Sequence, residues 1–249
     1  METVHAVWIG SDLSLLEQLS IKLFQRHQYR FKLWLYDECS HVPEGVELAD
    51  ANRILPRSSI FGYQGKTNKL LPNLGSGSVA HWSDQFQLKL LYQEGGIYTQ
   101  LDVTLLGKIP SNRPYLFVRD AMGAQCFLMK CPQGSPFALE TFELLQREIN
   151  GRTFSSISWL DSMRLIGRAI SEFQLEHFYL ANWRVKNGID FSAVRAPFGS
   201  RVIHWWNASL GLRKNDPISG SLYERLLIKT GLYHPTNNRT TSCYGYVAQ

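Results

Sequence analysis

Carboxylates, amides and an imidazole that could hold a ligand are concentrated in three stretches of this sequence. The longest runs Ser83-Asp84-Gln85-Phe86-Gln87-Leu88-Lys89-Leu90-Leu91-Tyr92-Gln93-Glu94-Gly95-Gly96-Ile97-Tyr98-Thr99-Gln100-Leu101-Asp102-Val103. Helical spacing puts Gln87, Leu88 and Leu91 on the side that carries Asp84. The Gly95-Gly96 pair then stops the helix, where a left-handed cap suits glycine. Asp102 falls just beyond the apolar Ile97-Tyr98, at a turn between two strands. A carboxylate held at the end of a sheet can bind a metal ion or a hydroxyl in the crevice where open α/β sheets take their ligands. Asp102 also reads as a plain turn residue, and Asp84 as the cap of a helix opening near Val79–His81. The other two stretches are His5-Ala6-Val7-Trp8-Ile9-Gly10-Ser11 and Val202-Ile203-His204-Trp205-Trp206-Asn207. His204 sits between Ile203 and Trp205, a setting that equally suits a hydrogen-bonded core histidine. Trp8 shares a strand face with Ala6, against Val7 and Ile9, and so belongs partly to a core.

The elements that must position these residues follow from periodicity. Val4–Ile9 is a short apolar run ending in Gly10, a buried-strand pattern. Ser14-Leu15-Leu16-Glu17 is a capping box, in which hydroxyl and carboxylate satisfy each other's free amides. Leu16, Leu19 and Leu23 carry the helix on to about His27, and Phe31–Tyr36 is a second strand. Strand–helix–strand at this spacing predicts a parallel βαβ start with helices on both faces of a sheet. Residues 40–78 are rich in Pro, Gly, Asn and Ser and read as a long irregular excursion with one short strand near Arg53–Leu55. A helix over Val79–Glu94 and a strand–turn–strand over Ile97–Leu106 come next. Strands at Tyr115–Val118 and Gln125–Lys130 follow. Pro136 opens a helix whose face is Ala138, Phe142, Leu145 and Ile149. A helix over Ile157–Ser171, a strand at Val202–Trp205 and a last helix at Leu222–Thr230 complete the pattern, with a polar tail from Pro235. No repeat and no shift in composition marks a boundary, so residues 1–249 are expected to form one α/β domain.

Composition narrows the function classes. Of 249 residues, 44% are hydrophobic and 19% charged, which excludes a disordered, solvating chain. No stretch approaches the roughly 18 uninterrupted apolar residues of a spanning helix. The net charge of +5 favours anionic partners, yet no run of Lys and Arg forms a basic arm and the aromatics are not interleaved with basic residues. Nucleic acid is therefore not an expected partner. Of the cysteines Cys39, Cys126, Cys131 and Cys243, only the middle two are close, which indicates neither a zinc site nor a disulfide framework. The start Met1-Glu2-Thr3-Val4-His5 signals no secretion, and a cytoplasmic location is expected.

Taken together, the motifs carry a resemblance. Trp8-Ile9-Gly10-Ser11, Ser83-Asp84 with Gln87, Leu90-Leu91-Tyr92, Gly95-Gly96-Ile97-Tyr98-Thr99-Gln100-Leu101-Asp102 and His204-Trp205-Trp206-Asn207 fall in the order seen in GT-A-fold glycosyltransferases with a DXD motif. The narrower likeness is to bacterial polysaccharide transferases related to the α-1,4-galactosyl- and Och-type mannosyltransferases, and distantly to the glucosylating clostridial toxins. It spans roughly residues 5–210. The chain departs from the pattern at Gln100, which stands for the first Asp of DXD, and at Gln87, which stands for an Arg. Asp161-Ser162 replaces a Gly-Pro pair. The loss of the Arg removes a charged fork from the donor site, while Gln100 keeps the ability to hydrogen-bond a ribose hydroxyl or a metal-bound water.

The resemblance implies a GT-A-like, Rossmann-like fold, with a mixed, mostly parallel sheet flanked by helices. It implies a glycosyltransferase moving a sugar, with retention, from a nucleotide-sugar donor to a glycan or lipid-linked saccharide acceptor in surface-polysaccharide assembly. A divalent cation, Mn²⁺ or Mg²⁺, would neutralise the donor's diphosphate as a Lewis acid, with Asp102 and His204 as its ligands. Asp102 and Asp84 would be the catalytic carboxylates, Asp84 accepting hydrogen bonds from sugar hydroxyls. Trp8 would help wall the nucleobase pocket, and Ile9, Gln87, Gln100 and Asn207 would complete the donor site. No catalytic base is assigned. The expected location is compatible with peripheral contact at the inner face of the cytoplasmic membrane. The alternative is a transferase fold that binds nucleotide or glycan without turnover, which Gln87 and Gln100 favour. A toxin-like activity on proteins is a third reading.

Overall fold

A computed structural model describes residues 1–64, 76–109, 112–120, 123–150, 158, 160–175, 194–196, 200–205 and 214–235 of the protein. Its strands are β1 (Thr3–Trp8), β2 (Arg30–Leu35), β3 (Glu47–Asp50), β4 (Tyr63–Gln64), β5 (Ser76–Ser78), β6 (Gly96–Thr99), β7 (Val103–Leu105), β8 (Leu116–Asp120), β9 (Gly123–Cys131) and β10 (Val202–His204). The helices are α1 (Leu15–Arg26), α2 (Ala80–Glu94), α3 (Pro136–Leu145, continued by a wide π turn over Gln146–Asn150), α4 (Asp161–Glu172) and α5 (Leu222–Lys229). Six strands form the main sheet in the order β3-β2-β1-β6-β9-β8. The first four run parallel, and β9 and β8 are antiparallel to their neighbours.

The sheet divides two cores. Val4, Ala6, Phe31, Leu33 and Ile97 pack with Leu16, Leu19 and Phe24 of α1 and with Tyr223 and Leu227 of α5. From the same strands, Trp34 and Tyr98 go the other way, to Phe86 and Leu90 of α2, Phe137 of α3 and Ile166 of α4. Period-two alternation thus sends neighbouring residues of one strand into opposite layers. Trp8 follows Ala6 onto the α1 side and Val7 packs on the other, as the strand pattern predicts. The fold is the expected mixed α/β arrangement, a mostly parallel sheet flanked by helices.

The capping box of α1 forms: Ser14 N–H donates to Glu17 Oε2 at 2.9 Å, and the Ser14 hydroxyl binds the same carboxylate. At the end of α2 the two glycines are both required, but not as a left-handed helical cap. Gly95 lies at φ 69° and ψ −161°, a region almost reserved for glycine. A Cβ there would meet the Gln133 backbone nitrogen at 2.6 Å. Gly96, at φ 83°, would bring a Cβ to 2.8 Å from the Thr3 carbonyl oxygen. Glycine therefore lets β6 lie tightly against β1.

The excursion after β2 is more ordered than its composition predicts. The expected strand near Arg53–Leu55 is instead a 3₁₀ turn over Ala51–Arg53, capped by the Asp50 carboxylate on Asn52 N–H at 2.9 Å. The strand lies earlier, at Glu47–Asp50, and exists because β2 pairs with it in parallel register. Helix α4 starts at Asp161 rather than Ile157; residue 157 itself lies outside the described residues, as does the tail after Pro235.

Candidate functional site

A cleft of about 230 Å³ opens at the carboxyl ends of β1 and β6, bordered by Trp8, Ile9, Glu17, Ser83, Gln100 and Asp102. Parallel strands and the turns that leave them create such crevices, since neighbouring chains diverge there. The turn between β6 and β7 is fixed by two hydrogen bonds. Gln100 N–H donates to the Phe127 carbonyl on β9 at 2.9 Å, tying the 100–102 turn to the sheet. Just beyond it, the Ser20 hydroxyl of α1 donates to the Val103 carbonyl at 2.6 Å.

A second, two-stranded ladder brings the distant histidine in. β10 pairs antiparallel with β7, so that His204 stands opposite Val103. Trp205 N–H continues the ladder onto the Asp102 carbonyl at 2.9 Å, and the Trp205 indole N–H donates to Thr104 Oγ1 at 2.6 Å. His204 Nε2 then lies 3.3 Å from Asp102 Oδ1, with the two side chains 12% and 14% exposed. The His204 ring packs against the Phe127 ring, centroids 4.4 Å apart, which holds its plane. A carboxylate that borders the cleft and the imidazole nitrogen beside it thus converge.

Asp84 and Gln87 lie behind this surface rather than on it. Ser83 borders the cleft, and Gln87 sits one helical turn further along the same stripe of α2. Gln87 is wholly buried, and neither Oε1 nor Nε2 has a hydrogen-bond partner among the described residues. An amide in that state costs roughly 1–3 kcal/mol. Asp84 is buried as well, and Ser162 of α4 hydrogen-bonds its carboxyl. The Ser162 hydroxyl also reaches His81 Nδ1 at 2.5 Å, so one serine joins two polar groups of α2 to α4. Burial drives the Asp84 carboxyl up to about 7, partly countered by the Ser162 bond. The reading of Asp84 as a helix cap does not hold: the N-cap of α2 is Val79, and the first helical N–H, that of Ala80, goes to the Ser78 hydroxyl at 3.3 Å. Asp161, the first residue of α4, turns its Oδ2 back to accept the Ser158 N–H at 3.0 Å in the segment before the helix. His5, in the first motif, is buried in the sheet and accepts the Trp34 indole N–H on Nδ1 at 3.2 Å. Desolvation, reinforced by the Lys32 charge, pushes its imidazole down to about 4.

Local sequence patterns do not signal Glu17 and Lys214 as site residues. Glu17 reads from the sequence only as a capping-box acid, yet it is 1% exposed and borders the cleft. Its second oxygen, Oε1, takes a bond from Lys214 Nζ at 2.5 Å. The two residues are 197 apart along the chain, so no local pattern could have paired them. Asn207, expected at the donor site, lies outside the described residues. Trp8, Ile9, Gln100, Asp102 and His204 are brought to one place, and Asp84 and Gln87 stand behind it.

Among the described residues, no three His, Cys, Asp or Glu side chains gather to enclose a metal ion. The Asp102–His204 pair offers one oxygen and one nitrogen donor, a set that fits Mn²⁺ with the remaining positions filled by ligand and water oxygens. Among the same residues, no helix is long and apolar enough to cross a membrane.

Residues 66–125, about a quarter of the chain, match the family model of a glycosyltransferase sugar-binding region containing a DXD motif. That stretch holds Asp84, Gln87, Gln100 and Asp102. No curated protein matches the chain. Among solved structures, the PaToxG glycosyltransferase is similar at a TM-score of 0.50 and 14% identity, over 70% of this chain and 68% of that one. The apo structure of the bifunctional glycosyltransferase WbbM aligns at a TM-score of 0.40 and 11% identity, over 67% of this chain and 37% of that one. The first of these likenesses shows a fold shared with glycosyltransferase structures.

Proposed function

We propose that the protein is a metal-dependent glycosyltransferase, carrying a sugar from a nucleotide-sugar donor to a glycan or lipid-linked saccharide. The observation that carries this reading is Asp102, which borders a cleft at the carboxyl ends of β1 and β6 and has His204 Nε2 3.3 Å from its carboxylate. Asp102 lies within the stretch that matches the sugar-binding family model. A nucleoside diphosphate is a poor leaving group until its charge is neutralised. Mn²⁺ or Mg²⁺, when bound, supplies that neutralisation. Asp102 and His204 are the residues that would hold it. Trp8 and Ile9 wall the cleft for the nucleobase, and Gln100 is free of charge and able to bond a ribose hydroxyl. Gln87, buried behind the cleft, is assigned to the support of the donor site rather than to direct contact with the sugar. Asp84 and Asn207 complete the donor site in this reading. Transfer with retention, a role in surface polysaccharide and contact with the inner membrane belong to the same proposal, with residues 1–249 acting as one domain.

Gln87 and Gln100 favour a second reading, in which the fold binds nucleotide or glycan without turnover. Incubation with UDP-, GDP- and CMP-sugars, with and without Mn²⁺, separates the two through nucleotide release and thermal stabilisation. Metal-stimulated release or transfer is expected; binding with no release from any donor would refute the enzyme. Within the enzyme, Asp102→Ala should reduce kcat/KM more than about a hundredfold with the circular dichroism spectrum unchanged. Retained turnover would remove Asp102 from the site.

A further inference from the structure

We infer that Lys214 is the protein's own cation for the donor's diphosphate, an assignment that rests on the nucleotide-sugar reading above. Its Nζ lies 5.7 Å from the centroid of the Trp8 ring and 2.5 Å from Glu17 Oε1, and both of those residues border the same cleft as Asp102. The position is built, not incidental. The Tyr223 hydroxyl of α5 donates to the Lys214 carbonyl at 2.7 Å, and the neighbouring Asn215 Oδ1 accepts the Leu15 N–H at 3.0 Å. These two bonds pin the 214–215 segment across the start of α1, and the lysine side chain turns from there over the indole.

Charge and helix geometry both point to an anion at this place. The cleft border carries the carboxylates of Glu17 and Asp102, so a diphosphate entering it meets like charge unless cations stand by. The N-terminus of α1, the usual alternative for a phosphate, is already occupied. Ser14 N–H goes to Glu17, Leu15 N–H to Asn215 and Leu16 N–H to the Ser14 hydroxyl at 3.3 Å. An ammonium group has three donors. Glu17 takes one of those of Lys214, and no other acceptor among the described residues bonds it. A counter-ion serving Glu17 alone has no need of a place over the Trp8 ring.

Calorimetric titration of UDP, GDP, UMP and GMP in Mn²⁺ buffer tests the assignment. Lys214→Met alone would strand the buried Glu17 carboxylate, so the informative protein combines Glu17→Gln with Lys214→Met. The amide that replaces the carboxylate keeps an oxygen for the Ser14 cap. Wild type should bind the diphosphates more tightly than the monophosphates. Against Glu17→Gln alone, the double variant should lose about tenfold or more in diphosphate affinity, keep its monophosphate affinity and unfold at a temperature close to wild type. A double variant that keeps the diphosphate preference overturns the assignment. So does one that loses both nucleotides equally, which marks Lys214 as a purely structural partner of Glu17. A wild type that binds no nucleotide at all overturns the glycosyltransferase reading together with it.

Discussion

Replacing Asp84 by Asn should make the protein more stable at neutral pH while disabling its proposed activity. Burial raises the Asp84 carboxyl from 3.8 to about 7, so the folded state holds its proton more tightly than the unfolded chain does. A carboxyl displaced upward stabilises the fold fully below its unfolded value, and that contribution is lost as pH rises through the folded value. Each tenfold change in proton affinity is worth about 1.4 kcal/mol. The interval from 3.8 to about 7 therefore corresponds to about 4 kcal/mol between acid and alkaline limits. Asn cannot ionise and keeps an oxygen for the Ser162 hydroxyl. The difference between variant and wild type should then be near zero at about pH 4 and approach that full value by about pH 8. For a domain of this size it corresponds to a rise of about 8–16 °C in Tm. Urea unfolding of both proteins across this pH range, with unchanged m-values, measures it directly. A difference that stays constant with pH, or an Asn variant less stable at alkaline pH, would refute the argument that Asp84 is held in a place hostile to charge. Lost turnover in the stabilised variant would fit the common trade of stability for a functional carboxylate.

Two further substitutions report on how the site is supported. Gln87→Leu removes a wholly buried amide with two unpartnered atoms, and should stabilise the protein by about 1–3 kcal/mol in chemical denaturation while weakening nucleotide-sugar binding; destabilisation would mean that the amide is satisfied in the native fold. Trp205→Phe deletes the 2.6 Å bond to Thr104 Oγ1, leaving a buried hydroxyl without its donor. It should cost about 1–3 kcal/mol and lower metal-stimulated nucleotide release more than nucleotide affinity, because the indole anchors the ladder that places His204 against Asp102. Equal loss of both would show that Trp205 supports the core only.

What the residues disclose before the fold is known depends on whether the interaction is local. The capping box of Ser14-Leu15-Leu16-Glu17 is contained in one short stretch and forms as read. The alternation in β1 is likewise a local pattern, and the helix over Ala80–Glu94 is bounded locally by its Gly95-Gly96 stop. β3 escapes such reading because Glu47-Leu48-Ala49-Asp50 has no β-branched residue and largely exposed positions; its conformation comes from pairing at the sheet edge. The site divides the same way. Asp102 announces itself at a turn after a strand, and His204 by its aromatic neighbours, but their meeting depends on the β7–β10 ladder, which joins segments about a hundred residues apart. Glu17 and Lys214 lie further apart still. The burial of Asp84 behind the cleft depends on α4 docking through Ser162, a contact that helical spacing within α2 cannot reveal.

The β7–β10 ladder also sets when, in the life of the chain, the cleft can exist. Among the described residues β7 pairs with no other strand, and its partner arrives only after residue 201 has been made. The segment that carries Lys214 arrives later again. A ribosome that has delivered the chain through β7 has supplied Trp8, Ser83 and Asp102 but neither the histidine nor the lysine. Contacts of such long range also form late in folding, because the chain entropy they remove must be spent first. The nascent chain can thus assemble most of its sheet while still lacking the groups that would hold a metal or a diphosphate, and the completed ladder is what turns a folded intermediate into a binding site.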